Sequence, residues 1–387
     1  MFTFPMTTTM SNHIYDVCVV GAGVNGSASA YSLAKQKKDV LLLEQFPVPH
    51  TRGSSHGQSR IVRCLYPSMC YAKTSFDSFA LWKQLEKEVD DKLLIQNGIL
   101  EVFKNGAEKL KRCLEVLDRL GAPYDLLTAE QINIKYPLLK VPHGYSGIVE
   151  HNGGMVLASK CVAALQKVFV RNGGVFQDGE PVTRIMPGST ITIHTKKGKY
   201  YSRSLIITAG PFTSKLTKPL GLNLPLNIRR TRACYWRLKE EKSGSTSHCP
   251  SFIMFGIYGL ACHEYPGLIK ICQHTGPIVD IDYPDVAHDI EEVKNFVRLY
   301  TDGVEERPSI VENCLYTLTP DRDFIIDVHP KYQNIVIGAG FSGTGFKMAP
   351  ATGNILADLA LGRIPSYDIS KFKMGRFPAI VDKKSSL

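Results

Sequence analysis

Tyr15-Asp16-Val17-Cys18-Val19-Val20-Gly21-Ala22-Gly23-Val24-Asn25-Gly26 is the stretch that decides the fold. Tyr15 to Val20 is a short, Val-rich apolar run suited to a buried parallel strand. After the glycine turn, Val24 to Gln36 is helix-compatible, with Ala28, Tyr31, Leu33 and Ala34 supplying an apolar face. Val40 to Leu43 predicts a second strand that ends at Glu44. The unit is β-α-β, and a complete G-x-G-x-x-G sits where strand passes into helix. Gly21 permits the tight turn, Gly23 lets a diphosphate approach the backbone, and Gly26 lets helix and strand pack closely. Gly21, Ala22, Gly23, Val24, Asn25 and Gly26 are therefore the candidate dinucleotide contacts, with free N–H groups at the positive end of a helix dipole. Glu44, closing the second strand, is placed to bind ribose hydroxyls, which disfavours a 2′-phosphate and hence NADP. Its bland reading is a solvated residue at a strand end. The fingerprint alone does not separate NAD from FAD.

Outward from that unit, the 387-residue chain is 44% hydrophobic and 21% charged, an ordinary globular balance with enough chain for two lobes. Met1 to His13 has neither a basic nor an apolar signal region and reads as a short disordered extension. No apolar run reaches the length of about 18 residues that a membrane-spanning helix needs, so no membrane is expected. Ten cysteines without a C-x-x-C pair or clustered His ligands argue against a disulfide framework and against a metal site. The formal charge of +10 comes from dispersed Lys and Arg, which points away from nucleic acid and toward a basic enzyme that attracts anionic ligands.

Further elements are a helix from Thr74 to Val89, another from Ser159 to Asn172, and buried strands at Leu205–Thr208 and Asn334–Ile337. The last runs into Gly338-Ala339-Gly340-Phe341-Ser342-Gly343-Thr344-Gly345-Phe346-Lys347, a second glycine-rich turn before a helix, about three hundred residues after the first. Such a turn could set N–H donors or a cation against another part of one extended cofactor, which favours FAD over NAD. Its bland reading is an isolated turn with Gly at positive φ.

Taken in order, VVGAGVNGS, LLEQF-x-x-PH-x-RGSSHGQSRIVR, TAGPF, YGL, EYPGLIK, CLYT-x-TPD, IVIGAGFSGTGFK and RFP span nearly the whole chain. The sequence resembles the monomeric sarcosine oxidases and their relatives, the peroxisomal sarcosine/L-pipecolate oxidases. The resemblance implies an α/β fold: a Rossmann-like FAD domain from discontinuous segments (14–97, 151–219 and 321–387) plus an α+β substrate domain (98–150 and 220–320) with a mixed or antiparallel sheet. It implies FAD attached through a cysteine thioether, and Cys314 is the match. A cysteine in a strand is by itself most often a small buried hydrophobe.

The resemblance also assigns roles. Lys270 would activate oxygen over the flavin, since a fixed ammonium stabilises charge developing on oxygen. Arg63 and Lys347 would clamp the substrate carboxylate. His56 and Arg60 lie in the loop facing the flavin, Arg52 and Ser54 in the same loop would contact the cofactor, and Tyr258 and His274 would line the substrate pocket. Gly343, Thr344, Gly345 and Phe346 would contact the flavin with Lys347. Relatives commonly carry His where this chain has Thr344, which puts any role of that imidazole in doubt.

The implied reaction oxidises a secondary amino acid, sarcosine or L-pipecolate, with O2 to an imine and hydrogen peroxide. The protein is expected to be monomeric. Ser385-Ser386-Leu387 is similar to the S-K-L address read by the peroxisomal import receptor, with Ser in place of the basic residue; the cytoplasm is the alternative. Competing readings are an oxidase of another N-alkyl amino acid, a non-catalytic FAD protein, and a nicotinamide dehydrogenase.

Overall fold

The computed structural model describes residues 13–239, 249–283, 289–378 and 380. Residues 1–12 of the expected extension and the Ser385–Leu387 tripeptide lie outside the described residues. The leading unit forms as its pattern dictates: a strand Ile14–Val20, a helix Val24–Lys35 and a strand Val40–Leu43. The two strands pair in parallel, Val17 opposite Val40 and Val20 opposite Leu43, and their apolar side chains are buried on both faces. Lys199–Ile207 pairs in parallel on the other side, followed by Ile335–Ala339, while Val175–Gln177 adds beyond Val40–Leu43. The eight-stranded sheet is thus assembled from stretches far apart in the chain, with Val182–Met186, Ile191–Thr195 and Ile325–Val328 adding antiparallel members.

Small residues let its helices approach. A Cβ on Gly353 of the Ala349–Ala360 helix would come within 2.7 Å of the Ala28 Cβ. Gly26 is tighter still, since a Cβ there would lie 1.9 Å from the Gly21 carbonyl oxygen. Gly26→Ala is therefore expected to lower unfolding free energy by about 3 kcal/mol, at the upper end of overpacking costs. Urea denaturation of parent and variant measures this, and an unshifted midpoint would mean the turn has room to give.

Two sequence expectations move. The helix expected from Thr74 begins at Met69, because Tyr71 in its first turn packs edge-on against Phe324 and Phe372 at 5.2 and 5.6 Å. The second glycine motif does not open directly into a helix. Ser342 and Gly343 take φ of 46° and 79°, turns run to Met348, and the helix starts at Ala349.

A second eight-stranded sheet runs in the order Val304–Leu318, Asn227–Leu238, Leu268–Gln273, Ile257–Ala261, Ser251–Met254, Ile99–Lys104, Tyr145–Glu150, Tyr124–Thr128. It is mixed, with one parallel contact between Ser251–Met254 and Ile99–Lys104. On one face Leu100, Phe252, Ile269, Ile271 and Trp236 form a core closed by Ile132, Phe296 and Val297 from covering helices. Because side chains alternate along strands, the opposite face is free to carry polar groups.

Candidate active site

Strand register explains which residues share that free face. Glu101 stands opposite Ile253, Ile253 opposite Tyr258, and Tyr258 opposite Cys272, one row across four strands. Lys270 and Tyr235 face each other in the next row, and Cys314 stands opposite Thr231. Residues paired across a ladder point to the same side. The sheet thus gathers a lysine, two tyrosines and a thiol from separate strands.

The other wall comes from the loop after Glu44 and the strand Ser59–Val62. Arg60 donates to the carbonyls of Ser59 (2.8 Å) and His56 (2.5 Å), and its Nη2 lies 4.0 Å from the Cys314 Sγ. His56, Arg60, Tyr258, Lys270, Cys314 and Tyr316 line one cavity. Burial alone would push the Cys314 thiol up, but His56, Arg60 and Lys270 outweigh it and bring it down to about 7. The other buried cysteines beside apolar neighbours go the opposite way; Cys249 is pushed up to about 12 by burial. Cys314 is therefore the thiol with the largest thiolate fraction among those whose values shift.

Lys270 is 3% exposed; its Nζ donates to the Ser59 carbonyl at 3.3 Å and lies 5.3 Å from the centre of the Tyr235 ring. Burial and the Arg60 charge lower its pKa. The Tyr235 hydroxyl donates to Glu312 at 3.0 Å, which fixes the ring under the ammonium. Tyr258 and His274 rings lie 4.4 Å apart, and the His274 Nδ1 is 3.3 Å from the Tyr316 hydroxyl. Burial, with Lys347 and Arg63 nearby, drives His274 down to about 3, so its imidazole is neutral at physiological pH.

Arg63 donates to Glu101 and to the Leu65 carbonyl through the same Nη1, and the Tyr66 ring covers its guanidinium at 4.4 Å. Its buried Nε has no hydrogen-bond partner among the described residues. Lys347, 8% exposed, is lowered to about 7 by burial and by the charge of Arg63. These two cations, far apart in sequence, act on each other and on His274.

The glycine loop is tied to the loop that carries His56. The Ser55 Oγ accepts from the Val24 N–H at 2.9 Å, and the Glu44 carboxylate accepts from the Ala22 N–H at 2.9 Å. The sequence pointed to Ser54, whose hydroxyl is buried without a partner, as are Asn25 Oδ1 and His56 Nε2. Arg52 sits apart from the cavity, exposed, with its guanidinium 4.8 Å from the Phe46 ring. Thr344 donates to the Phe341 carbonyl at 3.2 Å, which ties its hydroxyl to its own turn. Gly343 is needed beside the site: a Cβ there would meet the Tyr316 ring at 2.7 Å. Phe346 lies 5.9 Å from the Arg60 guanidinium and stacks on Trp82 at 6.2 Å.

Tyr316, Tyr235, Glu101 and Ser55 were not singled out from the sequence. Tyr316 follows Cys314 by two in a strand and so shares its face, a signal available once the strand is assumed. Glu101 is a lone acid in the apolar run Ile99-Leu100-Glu101-Val102-Phe103, which marks it as unusual. Among the described residues no cluster of His, Cys, Asp or Glu could hold a metal, and no helix is long and apolar enough to cross a membrane.

Buried orphan polar atoms from Asn25 through Ser54 to His56, with a cation-lined cavity at the far end, fit an extended dinucleotide. Residues 16–359 match the model of the FAD dependent oxidoreductase family. The chain is 42% identical over 379 residues to the human peroxisomal sarcosine oxidase, covering 95% of this chain and 97% of that protein. It is 34% identical to the monomeric sarcosine oxidase of Bacillus sp. (strain NS-129), covering 95% and 98%. Among solved structures, NikD, an unusual amino acid oxidase essential for nikkomycin biosynthesis, superposes with a TM-score of 0.79 at 24% identity, covering 94% of this chain and 98% of NikD, a likeness of fold. The second glycine turn and the second sheet, which a nicotinamide dehydrogenase would leave unexplained, are accounted for: the chain belongs to the FAD dependent oxidoreductases, in the branch of the sarcosine oxidases.

Proposed function

We propose that the protein oxidises a small secondary amino acid, sarcosine or L-pipecolate, with FAD held covalently by Cys314 and O2 as acceptor. One observation carries the reading: Arg63 and Lys347 act on each other and on buried, neutral His274, whose ring packs 4.4 Å from Tyr258 in the cavity that holds Cys314 and Lys270. The guanidinium edge of Arg63 that Glu101 leaves unoccupied and the Lys347 ammonium bind the substrate carboxylate. His274 and Tyr258 border the amine without adding a charge, and their burial keeps water from it. When bound, FAD would supply the redox chemistry, as acceptor of the hydride equivalent from the C–H next to nitrogen and as donor of those two electrons to O2, which leaves as hydrogen peroxide. The imine of sarcosine hydrolyses to glycine and formaldehyde; that of pipecolate is a ring imine.

The residues that would hold FAD are Gly21 to Gly26, Glu44 and Ser54 at the nucleotide end, and Gly343, Thr344, Gly345 and Phe346 by the flavin. The division of labour sets the FAD part at 14–97, 151–219 and 321–387 and the substrate part at 98–150 and 220–320. Two mammalian relatives carry the word peroxisomal in their names, which supports a peroxisomal address through Ser385–Leu387 and its import receptor. A relative named monomeric sarcosine oxidase supports a monomer.

The test is direct. Purified protein should release peroxide with sarcosine and with L-pipecolate, and amines lacking a carboxylate should be poor substrates. After acid precipitation the yellow colour should stay with the protein pellet, and Cys314→Ser should send it to the supernatant. Free FAD from the unmodified protein would remove Cys314 from its role.

A further inference from the structure

Arg63 is held on one edge before any ligand arrives. Its Nη1 is spent on Glu101 and the Leu65 carbonyl, and one face is covered by Tyr66. What remains is the edge formed by Nη2 and Nε, and the Nε is buried without a partner among the described residues. Glu101 has a second partner: its Oε1 lies 2.6 Å from the Lys109 Nζ. The Glu101 side chain is 4% exposed and that of Lys109 is 52% exposed, so the acid is buried while its outer cation faces water. Glu101 also sits in the same sheet row as Tyr258, on the face that bears the site. Its charge acts on Lys347 as well, opposing the effect of Arg63 there.

We propose that Glu101 is a selectivity residue: by occupying one edge of Arg63 and cancelling one positive charge, it limits the pocket to substrates with a single carboxylate. This rests on the reading of Arg63 and Lys347 as the carboxylate clamp. A monoanion meets two cations and one fixed anion, a balanced set. A dianion places its second carboxylate against Glu101, which already holds the donors that would receive it. Solvent-facing Lys109 offsets Glu101 only in part, because water screens an exposed charge more than a buried one.

Calorimetric titration of the holoenzyme with acetate and with malonate, without turnover, tests this. The unmodified protein should bind acetate and take malonate more weakly. Glu101→Gln removes the competing charge while keeping the shape, and should move the ratio of malonate to acetate affinity up by roughly tenfold, a change of one charge at intermediate dielectric. Lys109→Met, at an exposed position, leaves Glu101 less compensated and should move the same ratio down by roughly twofold to threefold. Opposite shifts from the two variants cannot come from general damage to the pocket. A ratio unchanged in Glu101→Gln, or moving the same way in both variants, overturns the proposal. If the unmodified protein binds neither acid, the clamp itself is wrong, an outcome distinct from the failure of Glu101.

Discussion

Lys270→Met is expected to slow reoxidation of the reduced flavin by O2 roughly a hundredfold to a thousandfold, the range found when one preorganised electrostatic group is removed. Anaerobic reduction by substrate should change far less. Reduction moves a hydride equivalent from a bound amino acid whose carboxylate is held elsewhere. Reoxidation puts negative charge on oxygen, and a fixed cation stabilises that charge only as it develops. Lys270 is suited to this: it is buried, anchored on the Ser59 carbonyl, and supported by a Tyr235 ring that Glu312 locks in place. Burial and Arg60 lower its pKa, so the ammonium is less tightly retained than an exposed one and the effect of O2 should weaken as pH rises. Methionine keeps the stem and removes the charge. Stopped-flow measurement of the two half-reactions separates the cases, and equal losses in both would recast Lys270 as a residue that holds the site together.

Local patterning made half of this molecule legible. Val17 to Gly26 carries its own fold: β-branched residues for a two-sided strand, three glycines for three close approaches, and small residues for the helix that follows. The leading β-α-β unit therefore follows from short-range chemistry, while the strands that flank it come from far along the chain. The other half depends on register. That Lys270, Tyr235, Tyr258 and Glu101 share a face is fixed by which strands lie beside which, and the contacts joining them span much of the chain. Resemblance supplied Lys270 and Tyr258 one residue at a time; it did not supply Tyr235, Tyr316 or Glu101. Glu101 stands out locally only as an acid in an apolar run and Tyr235 not at all, and their roles appear only when Arg63 and Lys270 are found against them. The early start of the helix at Met69 has the same origin, since Phe324 and Phe372 decide it from a distance.

Losing either half of the carboxylate clamp should cost about 2–5 kcal/mol of ligand binding, the range for one partner of a desolvated charge pair. Acetate inhibition of the unmodified enzyme, Arg63→Ala and Lys347→Met reads it as a rise in inhibition constant. Of the two, Lys347→Met is the cleaner variant. Arg63→Ala also leaves Glu101, a buried carboxylate, with only its solvent-facing partner Lys109, and mixes a stability cost with the binding loss. Lys347 offers a second signature through pH. Burial and Arg63 depress its ammonium to about 7, so the cation is present below that pH and is lost as pH rises through it. Acetate should bind at full strength near pH 6 and progressively less tightly above pH 7, with proton uptake accompanying binding on the alkaline side. The groups that act on Lys347 do not reproduce this. Arg63 is raised further above its ordinary value by Glu101 despite burial, Arg60 is likewise raised, and His274 titrates far lower, near 3. In Lys347→Met the weakened binding should be nearly independent of pH between 6 and 8. Undiminished acetate binding in both variants would place the carboxylate elsewhere and direct the search to amines without an acid group. A retained pH dependence in Lys347→Met would assign the titration to another group in the cavity, with Lys270 the first to test.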